Sequence, residues 1–311
     1  RLTGLERQKL LEEYEGLLKE ISYLEDLLAS PVRQRGVIRQ DLEELRERYG
    51  DDRRTRIIPH ADGSFDDEDL VTQERVLISI TQRGYIKRVP SKTYRSQSRG
   101  GRGVIGMATG DEDEITTLLT ANTLDTLLFF TDQGKVYQER VYQIPAAERT
   151  AKGSLIAGIL ALNSDEHVTA VINVPHEVEE DDRYVTMVTR LGRVKRVPLE
   201  EFGAVRPSGL IAIRLKKGDE LGWVRLTHGD EEIILITERG QSIRFSEQDV
   251  RPMARTAVGV IGMRLAKGDR VTVMEVVEPG ALLFLATLKG YGRCTSLDEF
   301  RCQARAGKGA R

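Results

Sequence analysis

The chain has 311 residues, a formal net charge of -2 and a pI near 6.2, so it is not a uniformly basic protein that coats nucleic acid, although a local basic stripe remains possible. No apolar run approaches the roughly 18 residues that cross a bilayer, and no signal peptide opens the chain. Two cysteines and four scattered histidines predict a reducing compartment and no metal cage. Because the chain starts on Arg1 and stops within a repeat, we expect a fragment of a longer protein.

The first fifty residues are predicted to be helical. Apolar residues at spacings of three and four form a coiled-coil seam from Leu10 to Leu28, and the spacing resumes from Ile38 to Tyr49. Pro31 interrupts the pattern, because proline cannot continue the helical hydrogen-bond ladder. We therefore expect an antiparallel helical hairpin over residues 1–50, followed by an acidic linker over residues 51–70.

From residue 71 the pattern changes to strands, and a repeat emerges. Each unit has a β-rich run, a threonine, and then a glycine three residues later. These glycines are separated by 50, 58, 48 and 50 residues and are Gly84, Gly134, Gly192, Gly240 and Gly290. A strand, a short turn with glycine and a second strand are typical of a β-hairpin.

A second glycine follows each first one at a nearly constant distance. It comes 19 residues later in four units and 17 later in one, at Gly103, Gly153, Gly209, Gly259 and Gly309. Five units of three or four strands, each about fifty residues long, predict propeller-like blades over residues 71–311. The fold class expected from the residues is therefore mainly β, preceded by the helical hairpin.

Residues Gly101 to Gly106 match the letters G-x-G-x-x-G, but a dinucleotide site needs a helix after the glycines. The chain instead runs into another turn at Gly110, so we reject the nucleotide interpretation. No Ser/His/Asp constellation is visible either, and we expect no catalytic residue in this segment.

Basic residues are the stronger functional signal. The stretch from Arg75 to Gly110 contains eight Arg or Lys and no acid, and cations recur at equivalent places in later units. If they share one edge of the assembled blades, they could neutralise many phosphates of double-stranded DNA together. The cations predicted to bind DNA are Arg83, Lys87, Arg88, Lys92, Arg95, Lys135, Arg140, Arg149, Lys152, Arg193, Lys195, Arg196, Arg244 and Arg255.

A glycine-rich heptad closes the first basic stretch. Glycine allows close approach of backbone to a ligand, and arginine supplies planar donors that suit phosphate. We predict that the heptad also binds DNA through Gln97, Arg99, Gly100, Gly101, Arg102 and Gly103.

The heptad, the opening Arg1–Glu6 and the segment from Val37 to Thr55 together resemble the A subunits of bacterial DNA gyrases. The heptad is similar to the family's Gln-Arg-Arg-Gly-Gly-Lys/Arg-Gly box, with Ser98 in place of the first arginine. The resemblance covers essentially the whole chain, from the end of the coiled-coil arm into the C-terminal domain.

The resemblance implies a six-bladed β-pinwheel, in which neighbouring blades exchange a strand, with about five blades present here. It implies that DNA wraps around the basic rim and that the parent enzyme, a type IIA topoisomerase, uses ATP and Mg²⁺ to introduce negative supercoils. It also implies an A-subunit homodimer that joins gyrase B subunits in an A2B2 tetramer, located in the cytoplasm with the nucleoid and not in a membrane. The segment itself is expected to carry neither the catalytic tyrosine nor a bound cofactor.

Two alternatives remain open at the level of sequence. The first is the A-type subunit of topoisomerase IV, which shares the arm and the pinwheel but usually lacks an intact box. The second is a propeller that binds proteins through its face, with an incidental basic rim.

Overall fold

The computed structural model describes residues 4–51, 55, 67–94, 105–108, 113–176 and 182–310. The chain divides into two compact units, Arg1–Ser64 and Phe65–Arg311. This division falls inside the predicted linker of residues 51–70, and the limits of that linker stay a prediction. The heptad at residues 97–103 lies outside the described residues.

Two helices form the first unit, α1 (Gly4–Ala29) and α2 (Pro31–Tyr49), as predicted. The break between them follows from local chemistry. Ser30 caps α2 by accepting a hydrogen bond from the Arg33 amide on its side-chain oxygen, at 3.5 Å. Proline is tolerated at the first helical position, because the amide that it lacks would have no helical partner there. In the described part of the chain, neither helix is long and apolar enough to cross a bilayer.

The second unit is built from seventeen strands in its described part. They are β1 (Arg75–Thr81), β2 (Tyr85–Pro90), β3 (Ile115–Asn122), β4 (Thr126–Thr131), β5 (Lys135–Arg140), β6 (Ser154–Leu155), β7 (Val168–Val174), β8 (Tyr184–Thr189), β9 (Arg193–Pro198), β10 (Leu210–Ile211), β11 (Leu221–Thr227), β12 (Glu232–Thr237), β13 (Ser242–Ser246), β14 (Val260–Ile261), β15 (Val271–Val277), β16 (Leu282–Ala286) and β17 (Gly292–Ser296). We number the blades 1 to 5 by their hairpins, β1–β2, β4–β5, β8–β9, β12–β13 and β16–β17.

The recurring threonine and glycine close the hairpin turns. In blade 1 the Gly84 amide donates to the Thr81 carbonyl at 2.9 Å, and the Thr81 hydroxyl accepts from the Tyr85 amide at 3.2 Å. Gly84 has a φ of +80°, a region that side-chain-bearing residues rarely adopt. The same pair of contacts recurs in the other four turns, which explains why both residue types repeat.

Neighbouring blades exchange a strand, as the resemblance implied. The sheet orders are β3-β1-β2-β6, β10-β5-β4-β7 and β11-β8-β9-β14, so a two-residue strand from each following repeat completes the sheet before it. In blade 4, the sheet β13-β12-β15 receives an antiparallel bridge between Ser242 and Ala310 in the same way. The mainly β pinwheel prediction is confirmed.

The strand order defines an inner and an outer edge of each blade. The strands at one end of the sheets, β3, β7, β11 and β15, contact one another between neighbouring blades. The opposite ends carry the exchanged strands, so β2, β5, β9 and β13 with their exchanged partners form the outer edge.

The hydrophobic cores lie between consecutive blades. One core brings Phe130 of blade 2 against Phe202 of blade 3, with ring centroids 5.9 Å apart and the planes at 78°. Equivalent clusters join blades 1 and 2, 3 and 4, and 4 and 5. Burial thus holds each blade to the next, and this fixes the course of the outer edge.

Candidate nucleic-acid interface

The loops that lead into the exchanged strands follow the outer edge. We call residues 144–153, 203–209, 250–259 and 300–309 the junction loops. Parallel bridges join Arg88 to Ala146, Arg196 to Pro252 and Arg244 to Cys302. Three of these loops therefore lie directly beside the outer strand of the preceding blade, along the outer edge of the blades.

Several predicted cations are accessible. Arg83 in the first hairpin turn, Lys92 just after β2 and Lys152 in the first junction loop are exposed, and Arg149 in that loop is half-buried. The Lys152 ammonium lies 4.0 Å from the centre of the Tyr85 ring, a cation–π contact between consecutive repeats. The Arg149 Nη1 donates to the Ile105 carbonyl at 2.9 Å, which uses one of five guanidinium donors.

Three further arginines at the outer edge hold the following repeat. Arg88 donates through Nε to the Ile144 carbonyl at 3.0 Å, and Arg244 donates through Nη1 to the Phe300 carbonyl at 3.3 Å and also pairs with Glu232. Arg193 donates through Nη2 to the Gly259 carbonyl at 2.6 Å. These half-buried arginines stabilise the junction loops, and their contact with DNA stays a prediction.

Other predicted cations have acidic partners. The Lys135 ammonium lies 3.4 Å from the Glu166 carboxylate, which is fully buried. Arg140 pairs with Glu68 at 2.7 Å through Nε. Arg255 pairs with Glu201 at 3.4 Å, and both side chains are partly exposed.

For Lys87 and Lys195, the prediction of direct contact with DNA was wrong. Both side chains have 0% exposure, and their ammonium groups donate to backbone carbonyls at the junctions between blades. Burial, followed by the charge of Arg149, lowers the pKa of Lys87. Burial, followed by the charge of Arg255, lowers the pKa of Lys195 to about 8, against an opposing effect of Glu201.

Arg196 was also predicted to contact DNA, but the structure buries its side chain. Only 8% of its side chain is exposed, and its guanidinium lies 4.5 Å from the centre of the Tyr184 ring. Nη1 donates to the Gly229 carbonyl at 3.1 Å and faces the buried Glu247 carboxylate at 3.5 Å. This arginine packs within the protein.

Seven predicted DNA-binding residues lie outside the described residues. They are Arg95, Gln97, Arg99, Gly100, Gly101, Arg102 and Gly103. Their role stays a prediction.

The structure also brings together cations that sequence reasoning missed. A cleft of about 900 Å³ is lined by Arg239 and Arg264 of the fourth repeat and Lys308 of the fifth. Arg264 also lines a second cleft, together with Arg193 and Lys216 of the third repeat. Arg264 could have been identified from its place in the repeat, because it comes five residues after the second glycine, Gly259, as Arg214 does after Gly209.

Three aspartates that the sequence analysis did not single out stabilise the hairpin turns by hydrogen bonds. Asp113, Asp219 and Asp269 each lie ten residues after a second glycine. Each is buried, and its Oδ1 accepts a hydrogen bond from the residue before a turn glycine, at 2.9 to 3.3 Å. The constant spacing could have identified them as structural acceptors.

The repeat observed in the structure matches one known family, segment by segment. The family model described as "DNA gyrase C-terminal domain, beta-propeller" matches residues 75–122, 125–175, 183–227, 231–278 and 281–309, one segment for each blade. The chain belongs to the DNA gyrase C-terminal domain family.

Individual relatives agree with this assignment. The A subunit of DNA gyrase from Mycolicibacterium smegmatis is 44% identical over 311 residues, covering 99% of this chain and 37% of the relative. The chain thus spans little more than a third of that protein's length.

Two solved structures share the fold of this gyrase-family chain. A DNA gyrase A C-terminal domain aligns with a TM-score of 0.62 and 27% identity, covering 76% of each chain. A C-terminal domain of DNA topoisomerase IV aligns with a TM-score of 0.65 and 31% identity, covering 77% of this chain and 73% of that one.

Proposed function

We propose that this chain is the DNA-wrapping region of a gyrase A protein, and that it binds double-stranded DNA along the outer edge of its blades. The observation that supports this most strongly is the strand exchange. It places the junction loops, which contain Arg149, Lys152 and Arg255, along the outer edge of the blades. Because DNA carries a charge every ~1.7 Å of its axis, regularly placed cations on a curved edge favour a bent duplex over an isolated contact.

We further propose that the chain acts within a larger enzyme. The DNA wrapped here would be presented for passage through a double-strand break made by other parts of an A2B2 assembly with gyrase B, with ATP and Mg²⁺ bound outside this chain. Such an enzyme would work in the cytoplasm with the nucleoid. These statements rest on the family membership.

Binding is tested by measuring the affinity of the chain for linear double-stranded DNA as a function of salt. We expect log K to fall linearly with log salt, with a slope of about -0.9 per phosphate neutralised. Replacing Arg149, Lys152 and Arg255 together by alanine should make the slope less steep by up to about 2.7. A flat salt response of the unsubstituted chain would contradict the proposal.

Arg225→Ala is the matched control. Arg225 lies on the inner strand β11 and pairs with Glu275 through two hydrogen bonds, at 2.7 and 3.1 Å. We expect its replacement to leave the salt slope unchanged. A loss of about 0.9 in this control, the full share of one cation, would show that the outer edge is not the specific binding surface.

Topoisomerase IV remains a second candidate because a solved structure of its C-terminal domain aligns with the chain at a TM-score of 0.65. The match over the whole chain to a gyrase A protein, with 44% identity, favours gyrase. Topology assays on nicked circles closed with the chain bound discriminate the two: a gyrase-type wrap should leave a net linking difference of one sign.

A further inference from the structure

Two of the blade junctions are built around a buried ammonium group. Lys87 and Lys195 each stand three residues after a hairpin glycine, Gly84 and Gly192, and both are fully buried. Neither is explained by direct contact with DNA. An ammonium group without compensating acceptors would be strongly destabilised in such surroundings, so its partners indicate its role.

The Lys87 ammonium joins two consecutive repeats. Nζ donates to the Gly106 carbonyl of its own repeat at 2.9 Å. Its remaining two protons face three carbonyls of the following junction loop, those of Glu148 at 3.3 Å, Arg149 at 2.5 Å and Ala151 at 3.0 Å. The backbone that carries Arg149 is therefore fixed from the preceding blade.

Lys195 forms the same cluster two blades further along the chain. Its Nζ donates to the Ala212 carbonyl at 2.7 Å, to the Arg255 carbonyl, and to the Ala257 carbonyl at 3.2 Å. The positions correspond, because Arg149 and Arg255 each lie four residues before a second glycine. In both places, one lysine holds the main chain of the arginine that the junction loop presents.

The other junctions show that the fold can form without a lysine at this position. Tyr137 is the equivalent residue in blade 2, and its ring packs against Gly209, where an added Cβ would lie 2.8 Å from a ring carbon. Ile243 is the equivalent residue in blade 4 and is buried in an apolar core. Since tyrosine and isoleucine fill the equivalent position between other blades, packing of the blades alone does not explain why Lys87 and Lys195 are lysines.

We propose that Lys87 and Lys195 are positioning residues for DNA binding, each acting through the arginine whose carbonyl it holds, Arg149 and Arg255 respectively. Without the lysine, the loop backbone is free to move and the arginine is no longer held where it contacts a phosphate, so that ion contact is lost. This inference rests on the proposed function, because it supposes that the circumference binds DNA.

The test is a double-mutant cycle in the full-length gyrase A protein, with double-stranded DNA as the probe. We expect Lys195→Met to reduce the salt slope by about 0.9, as Arg255→Ala does, and the double variant to lose no more than Arg255→Ala alone. Lys195→Met combined with Arg149→Ala should instead be additive, because Lys195 does not contact that loop. The reciprocal pairs with Lys87→Met give an independent replicate.

Lys195→Ile is the control for loss of folding, because isoleucine occupies the equivalent position in blade 4 and is therefore expected to preserve the fold. With an unchanged unfolding temperature, this variant should still show the reduced slope. Additive losses in Lys195→Met/Arg255→Ala, or an unchanged slope in the folded isoleucine variant, would overturn the positioning role. A flat salt response of the unsubstituted protein would overturn the proposed function itself.

Discussion

The free energy of unfolding of this chain should depend on pH through Lys195. Its pKa falls from an ordinary 10.5 to about 8 in the folded protein, chiefly because the side chain is buried. Between these values the unfolded chain binds a proton that the folded chain does not, so stability rises with pH. The difference of about 2.5 pKa units corresponds to about 3 kcal/mol.

Lys195→Met removes this titration and leaves the other groups in place. Urea unfolding of the native chain and the variant at pH 7 and pH 10.5 gives the difference in stability at each pH. We expect the native chain to gain about 3 kcal/mol relative to the variant over this interval. The comparison cancels the contributions of the remaining lysines and tyrosines, which titrate in both proteins.

A constant difference between the two proteins across this range would refute the argument, because it would mean that the folded lysine keeps an ordinary pKa. A loss of relative stability with rising pH would refute it in the opposite sense. It would show that the carbonyl acceptors stabilise the ammonium by more than burial destabilises it.

Two further predictions concern packing. Gly209→Ala should destabilise the chain more than Gly218→Ala by about 1–3 kcal/mol, because both glycines have positive φ but only Gly209 packs against a ring, that of Tyr137. Thermal unfolding of the two variants measures the difference in stability. Equal losses of stability would contradict the contact with Tyr137. Phe130→Ala should lower stability by about 3–5 kcal/mol, whereas the exposed Phe284→Ala should change it by less than about 1 kcal/mol, and similar losses in urea unfolding would show that the core is misplaced.

The repeat could be predicted from the sequence because its turns have strict chemical requirements. A glycine at positive φ and a threonine hydroxyl that accepts an amide bond leave a signal at Thr81 and Gly84 that recurs in every unit. The helices were equally accessible, because apolar spacing and the break at Pro31 are local features.

The strand exchange could not be worked out from spacing, and only the resemblance implied it. An exchanged strand such as Ser154–Leu155 has two residues, too few for any periodic pattern. Its partner, β2, lies about seventy residues earlier, and that pairing depends on the tertiary arrangement of two blades.

The candidate interface was predicted only in part, because sequence shows where charges occur but not which way they point. Lys87 and Arg88 are adjacent in β2, yet the lysine is buried while the arginine is half-buried at the outer edge. Lys195 and Arg196 both turned out to be buried, one among carbonyls and one against Tyr184. Counting cations therefore overestimated the number available to DNA.

The most direct test of the central claim is DNA cross-linking from single cysteines, in a background where Cys294 and Cys302 are replaced by serine. A thiol-reactive cross-linker attached at position 152, on the outer edge, should form a covalent adduct with bound double-stranded DNA. The same group at position 225, on an inner strand, should not. Efficient cross-linking from position 225 with none from position 152 would contradict binding along the circumference.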